Sequence, residues 1–212
     1  LMGRGAKMIV VACNTASAAA LHYLRERFPG TPFVGMEPAV KPAAETSHTG
    51  VVGVLATPAT FQGRLYGSVV ERFAGGVTLM QDTCQGLVEQ IEAGHLDGEV
   101  TKAILKKSLR PMLNAGIDTV VLGCTHYPFI IPLIKSITGP DVRVIDPAPA
   151  IARQVGRLLE QHALRTPKDS HGITNYMTTG DKEVLQGFLD RLDFHGTVTA
   201  LSWEKLETQL AN

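Results

Sequence analysis

Short, almost unbroken apolar runs rich in β-branched residues alternate along this chain with longer stretches in which apolar positions recur every three or four residues. Met8-Ile9-Val10-Val11-Ala12-Cys13, Val51-Val52-Gly53-Val54-Leu55-Ala56, Val77-Thr78-Leu79-Met80, Thr119-Val120-Val121-Leu122-Gly123-Cys124 and Val142-Arg143-Val144-Ile145-Asp146 are of the first kind. Continuous hydrophobicity over five or six residues predicts strands covered on both faces, as in parallel sheets. Weaker strand patterns lie at 33–36, 173–178 and 197–201. The second kind predicts helices over 15–28, 58–73, 85–93, 98–114, 129–137, 148–162 and 182–192, with Gly30, Gly94 and Gly116 where C-caps fall. This alternation predicts an α/β protein built of right-handed βαβ units in doubly wound parallel sheets. Proline-rich, hinge-like stretches at Glu37-Pro38 to Lys41-Pro42 and at Asp146-Pro147-Ala148-Pro149 suggest two chain crossings. On that reading 39–146 form an inserted domain, and 1–38 with 147–212 form the other.

The pattern contains an echo. Ile9-Val10-Val11-Ala12-Cys13-Asn14-Thr15-Ala16 resembles Val120-Val121-Leu122-Gly123-Cys124-Thr125-His126-Tyr127: a buried strand, a small residue, a cysteine, two polar residues, then a helix. The two copies fall in different predicted domains, so two similar α/β halves would face each other across a cleft. Ligands of open parallel sheets bind beyond the carboxyl ends of the strands. A cysteine there, ahead of a helix, is expected to have a lowered pKa, and the helix N–H groups suit a carboxylate. Asn14, Thr15 and Thr125 add donors, and His126 adds a titratable group beside Cys124. Two thiols flanking one carbon suit inversion of a stereocentre. A thiolate removes a proton from one face and a thiol returns one to the other.

Composition narrows the alternatives. The chain has 212 residues, with 20 Lys+Arg against 20 Asp+Glu, 44% hydrophobic and 19% charged. That is enough to bury a core and excludes a disordered or coiled-coil chain. Zero net charge gives no electrostatic reason to expect a nucleic-acid or membrane-surface partner. No apolar run has the length of a membrane span, and the opening Leu1-Met2-Gly3-Arg4-Gly5 is not expected to be a signal peptide. Three cysteines are too few for a disulfide framework, so reduced thiols and a cytoplasmic location are expected. Plainer readings stand beside the catalytic one. A strand cysteine usually packs in a core. Hydroxyl residues before helices usually cap them, and Thr57 before Pro58 fits such a cap. Zinc would have Cys13, Cys84, Cys124 and His126 as conceivable ligands, but the chain has no C-x₂₋₄-C pair. No phosphate loop or strand-anchored G-x-G-x-x-G is present, and neither cysteine motif holds a lysine for a Schiff base.

The motifs Val10-Val11-Ala12-Cys13-Asn14-Thr15-Ala16-Ser17 and Leu122-Gly123-Cys124-Thr125-His126-Tyr127-Pro128 resemble those of the glutamate racemases, within the aspartate/glutamate racemase superfamily. The resemblance extends to 34–43, to Gly53-Val54-Leu55-Ala56-Thr57 and to Ile145-Asp146-Pro147. It implies cofactor-independent interconversion of L- and D-glutamate, supplying D-glutamate for peptidoglycan, with no bound metal. It implies acid/base roles for Cys13 and Cys124, and substrate contacts from Asn14, Thr15 and Thr125. It gives His126 the part of assisting the second cysteine, and Glu92 falls where the family carries a glutamate linked to proton transfer. A homodimer is in keeping with it. A racemase for aspartate or another amino acid on the same scaffold is the alternative. In one respect the chain departs: family members begin with a strand ending in Asp-Ser-Gly and a later Pro-Tyr-Gly loop. Here Asp169-Ser170 runs into His171, and Tyr66-Gly67 follows Leu65. The resemblance therefore implies a missing N-terminal segment of about 60 residues, two βα units, leaving the first domain without its N-terminal strands. By that reading the chain as given is a fragment expected to show no useful turnover.

Overall fold

Strand β3, Val51–Ala56, is the axis around which the largest sheet forms. In the computed structural model, which describes residues 1–167 and 172–202, it is hydrogen-bonded in parallel to β4 (Thr78–Asp82) on one side and to β5 (Thr119–Gly123) on the other. The fourth strand, β6 (Arg143–Ile145), continues beyond β5, giving the order β4-β3-β5-β6. The chain therefore winds outward in opposite directions from the β3–β5 pair, and the carboxyl ends of these two strands form the sheet's switch point. A second pair, β1 (Ile9–Val10) with β2 (Phe33–Val34), is also parallel.

Burial explains why these runs become strands. Val52, Val54, Leu55, Val120, Val121 and Leu122 have no exposed surface, and each such side chain contributes about 1.5–3 kcal/mol of transfer free energy. On one face, Val52, Val54 and Val121 pack against Val40 and Ala43 of α2 (Val40–Thr46) and Tyr66 and Val69 of α4 (Arg64–Phe73). On the other, Gly53 leaves room for Met112 of α6 (Glu99–Asn114), whose sulfur lies 2.9 Å from where a Cβ would stand.

Two local readings change. The 58–73 stretch is two helices, α3 (Pro58–Phe61) and α4, broken at Gly63. A Cβ on Gly63 would stand 2.6 Å from the Ala18 methyl of α1 (Asn14–Arg27), so the break is where α1 comes closest. The proline-rich stretch at 37–42 runs directly into α2. Pro42 sits in its first turn, where a missing N–H costs nothing. Thr57 caps α3, accepting from the Thr60 amide, with Pro58 at the first helical position.

The described residues divide into two compact units, one over 1–165 and the other over those from 166 to 202. The first holds both sheets above, with α5 (Leu87–Glu92), α7 (Ile131–Thr138) and α8 (Ala148–Gln161). The second holds β7 (Tyr176–Thr178), α9 (Lys182–Arg191) and β8 (Val198–Ala200), a parallel βαβ unit with Leu189 and Val198 buried. Asp169-Ser170-His171 lies outside the described residues. Among the described residues no helix is long and apolar enough to cross a membrane.

Asp118, just before β5, ties the loop ahead of β3 to the sheet. Its carboxylate accepts from the Ser47 hydroxyl at 2.8 Å, the His48 amide at 2.5 Å, the Thr49 amide at 3.0 Å and the Thr119 hydroxyl at 3.1 Å. Burial alone would raise its pKa, but these donors, the Thr49 amide foremost, hold it down at about 2. A carboxyl lowered on folding stabilises the native state above its unfolded pKa, near 4, and loses that contribution as pH falls toward 2. Asp118→Ala is expected to cost about 1–2 kcal/mol at pH 7, limited by solvent screening of a partly exposed group. In denaturant titrations the gap from wild type should close toward pH 2. An equal gap at both pH values would contradict this account.

Candidate active site

Cys13 is the N-cap of α1, and its extended backbone turns the chain from β1 into the helix. Its sulfur accepts from the Ala16 amide at 3.5 Å, as a capping oxygen would. Ser17 anchors this corner. Its buried hydroxyl donates to the Val11 carbonyl at 3.0 Å and accepts from the Met36 amide at 2.9 Å, fixing α1 to the ends of β1 and β2.

Cys124 directly follows β5 at the switch point. Its height is set by the pairing of Gly123 with Ala56, where a Cβ on Gly123 would stand 2.6 Å from the Ala56 methyl. No α-helix starts at once after it. A 3-10 turn, Tyr127–Ile130, intervenes before α7. Beside the thiol, His126 Nδ1 lies 3.7 Å from Cys124 Sγ, and His126 Nε2 lies 3.1 Å from Glu92 Oε1 at the end of α5. When Nε2–H donates to Glu92, the lone pair of Nδ1 is left facing the thiol. The sequence-predicted Cys124, His126 and Glu92 are thus brought into one line.

The two cysteine segments are also joined. Thr15 Oγ1 lies 2.7 Å from Thr57 Oγ1 and 3.1 Å from Thr60 Oγ1, and Thr57 and Thr60 are 3.0 Å apart. This hydroxyl triangle links the first turn of α1 to the loop leaving β3, the strand paired with β5, which Cys124 follows. Thr15 is therefore engaged with the protein. Thr57 was legible as a cap, but Thr60, three residues on and fully buried, carried no signal as a partner of Thr15. Thr125 is partly exposed beside Cys124. Asn14 stands apart: it is 2% exposed, and neither its amide nitrogen nor its carbonyl oxygen has a hydrogen-bond partner. Burying both without protein partners costs about 1–3 kcal/mol each, so Asn14 keeps an unused donor and acceptor in the residue after Cys13.

The expected lowering of both thiol pKa values does not hold at Cys124. Burial pushes this thiol up, the His126 and Tyr127 amides oppose it, and negative charge on Cys13 and Glu92 pushes it further. The helix-dipole argument fails here because no α-helix begins at Cys124 and the sulfur is largely buried. The charge of Cys13 is thus among the causes that raise the Cys124 thiol. Cys84 is 2% exposed, and burial raises its thiol to about 12. Zinc would need several ligands together, and among the described residues no three His, Cys, Asp or Glu side chains converge on one point.

Residues 1–155 match the family described as Asp/Glu/Hydantoin racemase. A glutamate racemase of Roseiflexus sp. (strain RS-1) is 52% identical over 194 residues, covering 91% of this chain and 71% of that protein. The crystal structure of glutamate racemase isoform RacE1 from Bacillus anthracis superposes with a TM-score of 0.81 at 28% identity, over 93% of this chain and 74% of that one. The Escherichia coli glutamate racemase, solved in complex with L-glutamate and the activator UDP-MurNAc-Ala, gives a TM-score of 0.78 at 35% identity, over 92% and 74% respectively.

The coupling between the thiols predicts a titration. In the intact protein the alkylation rate of Cys124 should rise with pH along a curve centred above the ordinary cysteine value. In Cys13→Ser the curve should move down, because the neighbouring charge is gone. A curve unmoved by Cys13→Ser would show that the two sulfurs are independent.

Proposed function

This chain belongs to the Asp/Glu/hydantoin racemase family, and we propose that it inverts the α-carbon of glutamate between the thiols of Cys13 and Cys124. The chain is an isomerase of the glutamate racemase kind. The observation that carries the two-thiol mechanism is geometric: Cys13 and Cys124 follow strands of separate parallel pairs, and the Thr15, Thr57 and Thr60 hydroxyls tie the helix that Cys13 caps to the strand paired with the one before Cys124.

A racemase needs a base on one face of the carbon and an acid on the other, and it must be able to exchange those roles. Two thiols on opposite sides of one carbon meet this need, because each acts as base when ionised and as acid when protonated. With Cys13 as thiolate, it takes the α-proton and Cys124 delivers one to the opposite face, both without a cofactor. In the reverse direction His126 Nδ1 takes the Cys124 proton, and Glu92 stabilises the imidazolium through Nε2. The buried Asn14 amide supports recognition of the amino-acid head: its N–H₂ suits the α-carboxylate and its oxygen the α-ammonium. Thr125 adds a hydroxyl at the second thiol.

We assign glutamate over aspartate from the relatives near 50% identity. The product D-amino acid fits supply to peptidoglycan, and the E. coli enzyme is described with UDP-MurNAc-Ala as its activator. Free cysteines throughout fit a reducing cytoplasm.

Turnover in D₂O is expected to place deuterium at the α-position of glutamate with no added cofactor. Cys13→Ser and Cys124→Ser should each abolish racemisation while leaving one-base exchange on opposite enantiomers. Near-normal racemisation by either variant would reject the mechanism. Aspartate, one methylene shorter, is expected to turn over about 10- to 200-fold less efficiently. A preference for aspartate would overturn the substrate assignment.

A further inference from the structure

Glu92 reaches His126 from the end of a six-residue helix, too short to be stable alone. What aims it is the turn between β4 and α5. That turn contains two left-handed residues, Cys84 at φ 45° and Gly86 at φ 85°. A non-glycine residue in this region is strained and persists only where its surroundings hold it. The holding group is Asp82, the last residue of β4, paired with Leu55 of β3. A single oxygen, Asp82 Oδ1, accepts from the Cys84 amide at 2.7 Å and from the Ser108 hydroxyl at 2.6 Å. Ser108 is buried on α6 and so fixes the turn to the helix that packs beneath the sheet. From the other side the Tyr127 hydroxyl donates to the Thr83 carbonyl at 3.4 Å. Tyr127 is the residue after His126, so both ends of the Glu92–His126 bond trace back to this turn. Leu87 and Ile91, both fully buried, then fix the rotation of α5.

We propose that Asp82 and Ser108 are positioning residues that aim Glu92 at His126, and through His126 govern proton transfer at Cys124. This rests on the reading above of Cys124, His126 and Glu92. Neither residue touches the substrate carbon. Both act by holding a strained turn whose displacement would carry Glu92 Oε1 out of the 3.1 Å hydrogen bond. The requirement is for an oxygen acceptor in this place, not for a charge. Asparagine can supply that acceptor and alanine cannot.

The test uses Asp82→Ala, Asp82→Asn, Ser108→Ala and Glu92→Gln in the intact protein, with two readouts. The first is the ¹⁵N spectrum of the His126 ring, which reports whether Nε2 carries the proton. The second is halide release from the enantiomers of a β-halogenated glutamate. One thiolate removes the α-proton, the electron pair forms the Cα=Cβ bond, halide leaves, and the proton passes from the thiol to water. The enantiomer still processed by Cys13→Ser marks the Cys124 side. On that enantiomer Asp82→Ala is expected to lower halide release roughly 10- to 100-fold, as a displaced group would, and to mix the His126 tautomers. Asp82→Asn should retain most of the activity, Ser108→Ala should fall between, and the opposite enantiomer should be unaffected in all three. Equal losses on both enantiomers, or wild-type readouts in Asp82→Ala, would overturn the proposal. If Asp82→Ala does not fold, Ser108→Ala decides by the same readouts. If Glu92→Gln itself changes neither readout, the role given to Glu92 fails and the proposal falls with it. If only Glu92→Gln has an effect, the positioning role alone is wrong.

Discussion

The Thr15, Thr57 and Thr60 hydroxyls, all within 3.1 Å of one another, hold together the two pieces of chain on which the proposed chemistry depends. One is the start of α1, whose cap is Cys13. The other is the loop leaving β3, and β3 sets the height of Cys124 through the Ala56–Gly123 pairing. Two-base inversion depends on that spacing, because a base and an acid must reach opposite faces of one carbon. Small residues make the approach possible. Gly123 lets β5 lie close against Ala56, and Gly63 lets α1 lie against the loop before α4.

The two thiols are nevertheless unlike. Cys13 is partly exposed and caps a full α-helix, whereas Cys124 is buried and followed by a 3-10 turn. Burial and the negative charges of Cys13 and Glu92 work against ionising Cys124, the His126 and Tyr127 amides oppose them, and the His126 ring stands 3.7 Å from the sulfur. A racemase of a substrate with equal enantiomer stabilities must let each group serve as acid and as base, so a disadvantaged thiol needs a partner that carries its proton.

Much of this was legible in the chain. β-Branched runs at 51–56 and 119–123 fixed the central strands because a strand buried on both faces has no polar alternative. The strand–cysteine echo placed Cys13 and Cys124 at strand ends, whereas the resemblance named Glu92 and His126 separately and their hydrogen bond is seen only in the fold. Less visible were features that depend on distant partners. Helix α2 was hidden by Pro38 and Pro42, which read as a hinge although Pro42 is harmless in a first turn. The break at Gly63 answers to Ala18, 45 residues away in sequence, as Thr60 answers to Thr15. The direction of the Cys124 shift could not be read from its neighbours, since burial and the charge of Cys13 are tertiary effects. Asp118 and Asp82 carried no signal in the sequence, because the groups that donate to them come from other elements.

The most direct measurement is a crystal structure of this protein with glutamate bound. The account places the α-carbon between the sulfurs of Cys13 and Cys124, each about 3–3.5 Å away on opposite faces. It also places the head group on the Asn14 amide. A glutamate bound with only one sulfur near its α-carbon, or bound away from Asn14, would contradict it.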